Sequence, residues 1–221
     1  MKFIGIDFSI NYPGVCIANQ TFTEFEWIAC INTDIPKKYR ALLEDAMIQY
    51  PKLKFLFVDG KQKKTDTYHV TERNKLRNQI EVVETLVEAL VAKLNGEQAA
   101  IAIEGLSFGS PGNSLIDLAH ATGILKTHIY HSNFMQDSSL FFVFSPSELK
   151  NALGAKGNAN KIEIFNTFLR DPKIPELRDS ALFKFVTANK DELFNGKVVK
   201  SPFMDMIDST LGVIKLKNSL S

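Results

Sequence analysis

Cysteine is scarce in this chain. Cys16 and Cys30 are the only two among 221 residues, too few for the disulfide framework that staples small secreted domains. Long apolar runs are missing as well: no stretch reaches eighteen uncharged apolar residues, so no segment reads as a membrane-spanning helix. The longest apolar run with helical character, Val82 to Leu94, is interrupted by Glu84, Glu88 and Lys93. No signal-peptide pattern opens the sequence, and a reduced, cytoplasmic setting with no membrane partner is expected. No repeat or low-complexity tract appears. Excess charge of one sign is absent too, with 26 Lys and Arg against 25 Asp and Glu. That balance disfavours a uniformly basic nucleic-acid-binding surface and leaves only a segregated one open.

What the chain does contain is a large apolar inventory, 45% of residues with seventeen Phe among them. Its length suits one large domain. Residues 2–9 read as a strand, 14–18 as a second after the turn at Asn11 to Gly14, and 22–31 as a third, making an antiparallel meander. A short helix is expected over 37–49 and a buried-strand-like run at Phe55 to Val58, in the main sheet or in an insertion. The clearest helix is 71–94, with Ile80, Val83, Leu86, Val87, Leu90 and Leu94 on one face and a left-handed stop at Asn95-Gly96. A strand at 99–104, a helix over 114–130, a strand at 140–145, a short helix opened by Ser147 and a helix over 161–169 follow. Residues 171–200 carry no clear period. The last helix is expected from Ser201, as cap, with Pro202 at its first position, to about Lys217. The order predicts an α/β domain with a mixed sheet and helices on both faces.

Four acidic residues stand out. Asp7 interrupts an apolar strand, and alternation puts it on the face of Gly5, opposite Ile4, Ile6 and Phe8. Glu104 ends another apolar strand and shares its face with Ala102. Each acid follows a small side chain by two residues, which leaves room above the sheet for another element. Asp205 and Asp208, three apart, lie on one side of the last helix and flank its apolar stripe of Met204, Ile207, Leu211 and Ile214. A favourable contact with the helix dipole accounts for Asp205 in the first turn, but not for Asp208 further along. Taken singly, a turn residue or a solvent-facing strand end explains Asp7 or Glu104 equally well.

The set is harder to explain blandly. Carboxylates gathered on one face repel and raise each other's pKa unless a cation neutralises them. Mg²⁺ is held by a few carboxylates with water and phosphate oxygens completing its shell. A strand-centre Asp, a strand-end Glu and a D-x-x-D on a closing helix suit two Mg²⁺ ions about 4 Å apart, with Mn²⁺ as a substitute, acting in phosphodiester hydrolysis. His128 and His131 lie one helical turn apart, but no Cys or third His completes a zinc pattern.

Ile4-Gly5-Ile6-Asp7-Phe8-Ser9 with Gly14-Val15, Ala102-Ile103-Glu104 with Phe108, and Asp205-x-x-Asp208-Ser209 resemble the RuvC family of Holliday-junction resolvases. Leu115 to Ile129 with Gly123 inside is similar to the family's helix after the catalytic Glu. Ser145-Pro146 and Lys156-Gly157 to Lys161 are similar to its later strand and basic loop. The resemblance covers about two thirds of the chain in order. It implies a ribonuclease H-like fold with a five-stranded mixed sheet. It further implies a metal-dependent crossover junction endodeoxyribonuclease of DNA recombination and repair, acting as a homodimer on branched DNA. Asp7, Glu104, Asp205 and Asp208 would be its metal ligands and, with Lys161, its catalytic residues. Residues 33–70 and 171–200 exceed the family pattern and read as insertions, which suits a divergent, phage-encoded member working in a host cytoplasm. Phe108 follows Glu104 by four residues instead of the family's three.

The basic residues are segregated as a DNA surface requires. Lys61, Lys63, Lys64, Arg73, Lys75 and Arg77 cluster within 61–77, and Lys150, Lys156 and Lys161 form a second group. Such clusters supply salt-dependent affinity for phosphates, though Lys-rich loops are often plain solvated surface. With Phe108, the residues Lys61, Lys63, Lys64, Arg73, Arg77, Lys156 and Lys161 are the expected DNA contacts, and Lys156 or Lys161 is expected at the scissile phosphate. Two alternatives remain at this point: a flap or terminase-like nuclease of the same fold, and a non-catalytic DNA-binding protein. A proofreading-type exonuclease needs a second acid where Ser9 stands. An actin-like ATPase shares the I-G-I-D-x-S opening but needs a second domain and another Gly-rich loop.

Overall fold

A computed structural model describes residues 1–59, 67–106, 112–194 and 198–220, without the side chains of 112–114. Its frame is a six-stranded mixed sheet in the order β4-β3-β2-β1-β5-β6. The strands are β1 (Lys2–Asp7), β2 (Gly14–Ala18), β3 (Phe25–Asn32), β4 (Leu53–Val58), β5 (Ala99–Glu104) and β6 (Phe141–Phe144). The first three form the expected antiparallel meander. β5 runs parallel to β1, β6 to β5, and β4 to β3. The sheet therefore has one strand more than the five implied by the resemblance. The extra strand is the Phe55–Val58 run, which joins the main sheet as an edge.

Helices cover both faces, as the α/β reading requires. On one face lie α2 (Tyr68–Leu94) and α3 (Gly112–Tyr130), packed on Ile4, Ile6, Phe8, Ile101 and Ile103. The other face carries α1 (Lys37–Gln49), α4 (Pro146–Ala152), α5 (Lys161–Arg170), α6 (Ala181–Ala188), α7 (Lys190–Leu193) and α8 (Phe203–Leu220). Sequence periodicity located most helix ends within three residues. α2 starts earlier, capped at Thr67, and ends with Asn95 in the left-handed region at φ 46°. α4 is capped by Ser145 and not opened by Ser147; Ser145 and Glu148 form a reciprocal capping box. α5 has the same device in Asn160 and Glu163, which fixes where Lys161 begins.

The helix α8 departs most from expectation. It starts at Phe203, one residue later than a Ser201 cap would place it, and is buried nearly all round instead of along one stripe. The cause is its position between the sheet and the outer helices α4, α5 and α6. Such a seat demands small neighbours. A Cβ added at Gly5 would lie 2.0 Å from the Ser209 carbonyl oxygen, and one at Gly14 only 2.4 Å from that of Asp205. One at Gly212 would meet the Gly5 Cα at 2.9 Å and the Ala102 Cβ at 3.3 Å. The room above Gly5 and Ala102 is thus taken by the helix that carries two of the acids.

The described residues of 171–200, unreadable by period, form a short 3₁₀ turn at Pro175–Asp179 followed by α6 and α7. Their phenylalanines pair with those of neighbouring helices: Phe168 with Phe183, Phe165 with Phe194, and Phe185 with Phe203 at 4.7 Å. Six of the seventeen phenylalanines take part in these pairs. A buried hydrogen bond from the Trp27 indole N–H to the Thr210 hydroxyl, 3.0 Å, ties α8 to β3. Thr210→Val keeps the shape and removes the acceptor, so it should cost about 1–3 kcal/mol of stability in denaturant unfolding. Among the described residues, no helix is long and apolar enough to cross a membrane.

Candidate functional site

The parallel pairing of β1 and β5 sets the site. Their register matches Ile6 with Ile103, so Asp7 and Glu104 are the next residues at the same sheet end. Gly14 pairs with Asp7 from the other side, and the backbone of Asp205 rests directly above Gly14. The start of α8 is thereby delivered to the two strand acids. All four carboxylates, with Lys150 and Lys161, line one cavity of about 290 Å³. Its remaining wall is largely apolar, formed by Phe8, Leu106, Leu118, Leu149, Ile164 and Leu211.

This environment acts strongly on the acids. Burial, then the charges of Asp208, Glu104 and Asp205, raise the Asp7 carboxyl well above its ordinary value. Burial is also the main cause of the rise at Glu104, opposed by Lys150, a hydrogen bond with Asp7 and Lys161. Asp208 is pushed up to about 7, first by burial and then by Glu104 and Asp205, against Lys161 and Lys150. Asp205 is raised by burial and eased by Lys161 and by a hydrogen bond from Ser201.

Lys161 is the cation that approaches both acids of α8. Its Nζ stands 3.8 Å from Asp205 Oδ1 and 3.8 Å from Asp208 Oδ2. Burial alone would lower its pKa, but the four carboxylates outweigh that and hold it above the ordinary value. The ammonium is therefore charged at neutral pH. Two cations, Lys150 and Lys161, still leave four acids under-neutralised, and Asp205 Oδ2 is buried with no hydrogen-bond partner. Asp205 itself is only 4% exposed. An orphaned buried carboxylate oxygen beside three further hard oxygen donors fits a divalent cation of the Mg²⁺ type. Among the described residues the acids do not form a ready-made shell of three or more ligands. What the fold provides is convergence on one cavity.

The expected DNA contacts divide. Phe108, Lys61, Lys63 and Lys64 lie outside the described residues. Arg73, Arg77 and Lys156 are exposed and do not line the cavity; Lys75 is held by Glu72 at 3.0 Å and Asp117 at 3.3 Å. Of the alternatives for the scissile phosphate, Lys161 is at the acids and Lys156 is not. Sequence reasoning missed Lys150 as a wall residue. Its ammonium donates to the Ala159 carbonyl, 2.8 Å, bridging α4 to the segment before α5. The Ser145 capping box was the available signal, because it fixes the face on which Lys150 emerges.

Comparison with solved structures gives similarities at low sequence identity. The chain is similar to the RuvC structure of Thermus thermophilus, at 14% identity and TM-score 0.46, over 99% of this chain and 96% of that one. It is similar to the T. thermophilus RuvC solved in complex with a Holliday junction substrate, at 12% identity and TM-score 0.44, over 98% and 93%. A yeast mitochondrial Holliday junction resolvase follows at 14% identity and TM-score 0.36, over 99% and 79%. No family model and no curated protein matches the chain.

Proposed function

We propose that this protein is a Mg²⁺-dependent, structure-selective DNA endonuclease that resolves four-way junctions by paired phosphodiester cleavage. The observation that carries the reading is the convergence of Asp7, Glu104, Asp205, Asp208 and Lys161 on one cavity, with a carboxylate oxygen buried and unpartnered. Asp7, Glu104, Asp205 and Asp208 would hold the cation. Bound there, it supplies charge neutralisation for an attacking water and a departing oxygen.

The chain's own groups do the rest. The carboxylates, raised in pKa by burial and by one another, would hold the cation in their ionised form and would orient the water by accepting its hydrogens. The apolar wall from Leu106 to Leu211 limits bulk water around the reacting phosphate and strengthens each charge interaction. Lys161, half-exposed at the rim, reaches a phosphate oxygen and stabilises the charge that grows on it. Arg73, Arg77 and Lys156, with Phe108, Lys61, Lys63 and Lys64, would contact the arms of the branched substrate. A four-way junction is two-fold symmetric, so paired cuts call for two sites in a homodimer.

Lys161→Met should lower kcat by about 10²-fold and leave KM for DNA nearly unchanged, as loss of a group acting only on transition-state charge does. Steady-state kinetics check this. The reading as a whole is tested by presenting a labelled four-way junction, a linear duplex and a 5′ flap in Mg²⁺. Symmetric nicking of the junction alone is expected. Preferential cutting of the flap would instead favour a flap nuclease of the same fold, and no cleavage in Mg²⁺ or Mn²⁺ would leave a DNA-binding protein.

A further inference from the structure

The turn before α8 is held by residues that the cleavage reading does not use. Tyr39, on α1, donates its hydroxyl to the Ser201 carbonyl oxygen at 2.6 Å. Lys200, the preceding residue, places its ammonium 5.4 Å from the centre of the Tyr39 ring. The Ser201 hydroxyl in turn hydrogen-bonds the Asp205 carboxylate, and the Pro202 carbonyl accepts the Met206 N–H at 2.9 Å, which starts the helix. A continuous polar path therefore runs from Tyr39 through Ser201 to a carboxylate of the site.

Tyr39 belongs to 33–70, and Lys200, which packs on its ring, ends 171–200, the two segments read from the sequence as insertions. Further contacts join them away from Ser201. Lys38 pairs with Glu192 of α7 at 3.7 Å, and Tyr50 meets Phe185 of α6 edge-on at 5.7 Å. Both segments also pack on the first residue of α8, through Phe55 and Phe185 against Phe203. With Asp205 Oδ2 unpartnered, the carboxylate is oriented by the Ser201 hydrogen bond and by Lys161, 3.8 Å from Oδ1.

We infer that the two added segments form a brace for the start of α8, in which Tyr39 is the positioning residue that aims Asp205 into the site through Ser201. The inference rests on the proposal that the four acids hold a divalent cation. Tyr39 touches neither substrate nor cation and acts through a fixed hydrogen bond, so its loss should loosen the ligand and leave the fold in place. The ring of Phe at this position keeps the Lys200 contact and the packing while removing only the hydroxyl.

Calorimetric titration of Mn²⁺ into the intact protein, paired with steady-state cleavage and melting, tests this. Tyr39→Phe should weaken Mn²⁺ binding by roughly five- to tenfold and lower kcat similarly, with KM for DNA unchanged. Ser201→Ala should do the same, and the double variant should lose no more than the larger single effect, because both act on one path. Tyr50→Leu, which disturbs α1 and its Phe185 contact without touching Ser201, should lower the melting temperature and keep Mn²⁺ affinity. An affinity of Tyr39→Phe within twofold of wild type overturns the inference, and so does an equal loss of affinity in Tyr50→Leu. Wild type that binds no Mn²⁺ overturns the site reading and this inference with it.

Discussion

Asp7→Asn should abolish cleavage, lowering the rate by on the order of 10³-fold or more, while junction binding survives. Asp7 sits on the central strand, between Gly14 of β2 and the Glu104 end of β5, and feels each of the other three acids. Charge neutralisation of several kcal/mol depends on it, and each 1.36 kcal/mol is tenfold in rate. The amide keeps the shape, so the sheet and α8 should stay in register. Affinity for DNA comes mainly from cations meeting phosphates, and none of those is altered. Gel-shift binding alongside single-turnover cleavage checks both halves. Lost binding with lost folding would assign Asp7 a structural role instead.

Asp208→Asn should destroy activity and yet make the metal-free protein more stable. In the unfolded chain this carboxyl ionises at its ordinary value near 3.8, but in the native site only at about 7. The native state therefore binds more protons across that window, and stability falls as pH rises from about 4 to about 7. The contribution is fully present below the lower value and gone above the upper one. Asp7 acts in the same sense, raised by burial and by its neighbours. Lys161, held above its ordinary value by the carboxylates, stays charged throughout and offsets part of the repulsion.

In chelator at pH 8, removing the Asp208 charge should return on the order of 2 kcal/mol, or roughly 4–8 °C in melting temperature. At pH 4 the two proteins should melt together. Mn²⁺ should raise the wild-type melting temperature at pH 8 and barely move the variant, since a ligand stabilises only the state that binds it. A variant that melts lower than wild type in chelator at pH 8 would contradict this account of the site.

The acids themselves were legible because the strand and helix periods are simple. An Asp on the small-residue face of β1 and a Glu ending β5 must share a sheet end once those strands pair in parallel. Two acids three apart on a helix must share a side. What the sequence concealed was set by packing. The glycines at 5, 14 and 212 read as room for an approach, but not as the seat of a helix buried nearly all round. β4 resembled a buried strand without revealing that it extends the main sheet. The segment 171–200 carries its order in Phe–Phe contacts between short helices, which leave no period to read. Tyr39 reaches the site only through its hydrogen bond to Ser201, 162 positions away, and no local pattern marks it.

Uptake of divalent cations by these four acids is the property on which the site's chemistry depends. Calorimetric titration of wild type with Mn²⁺ at pH 6.5, in buffers of differing ionisation enthalpy, reads stoichiometry and proton release together. Two ions per chain are predicted, with protons released as the raised carboxyls ionise, and with binding lost or halved in Asp7→Asn and Asp208→Asn. Saturating Mn²⁺ that neither binds wild type nor distinguishes it from those variants would contradict the claim.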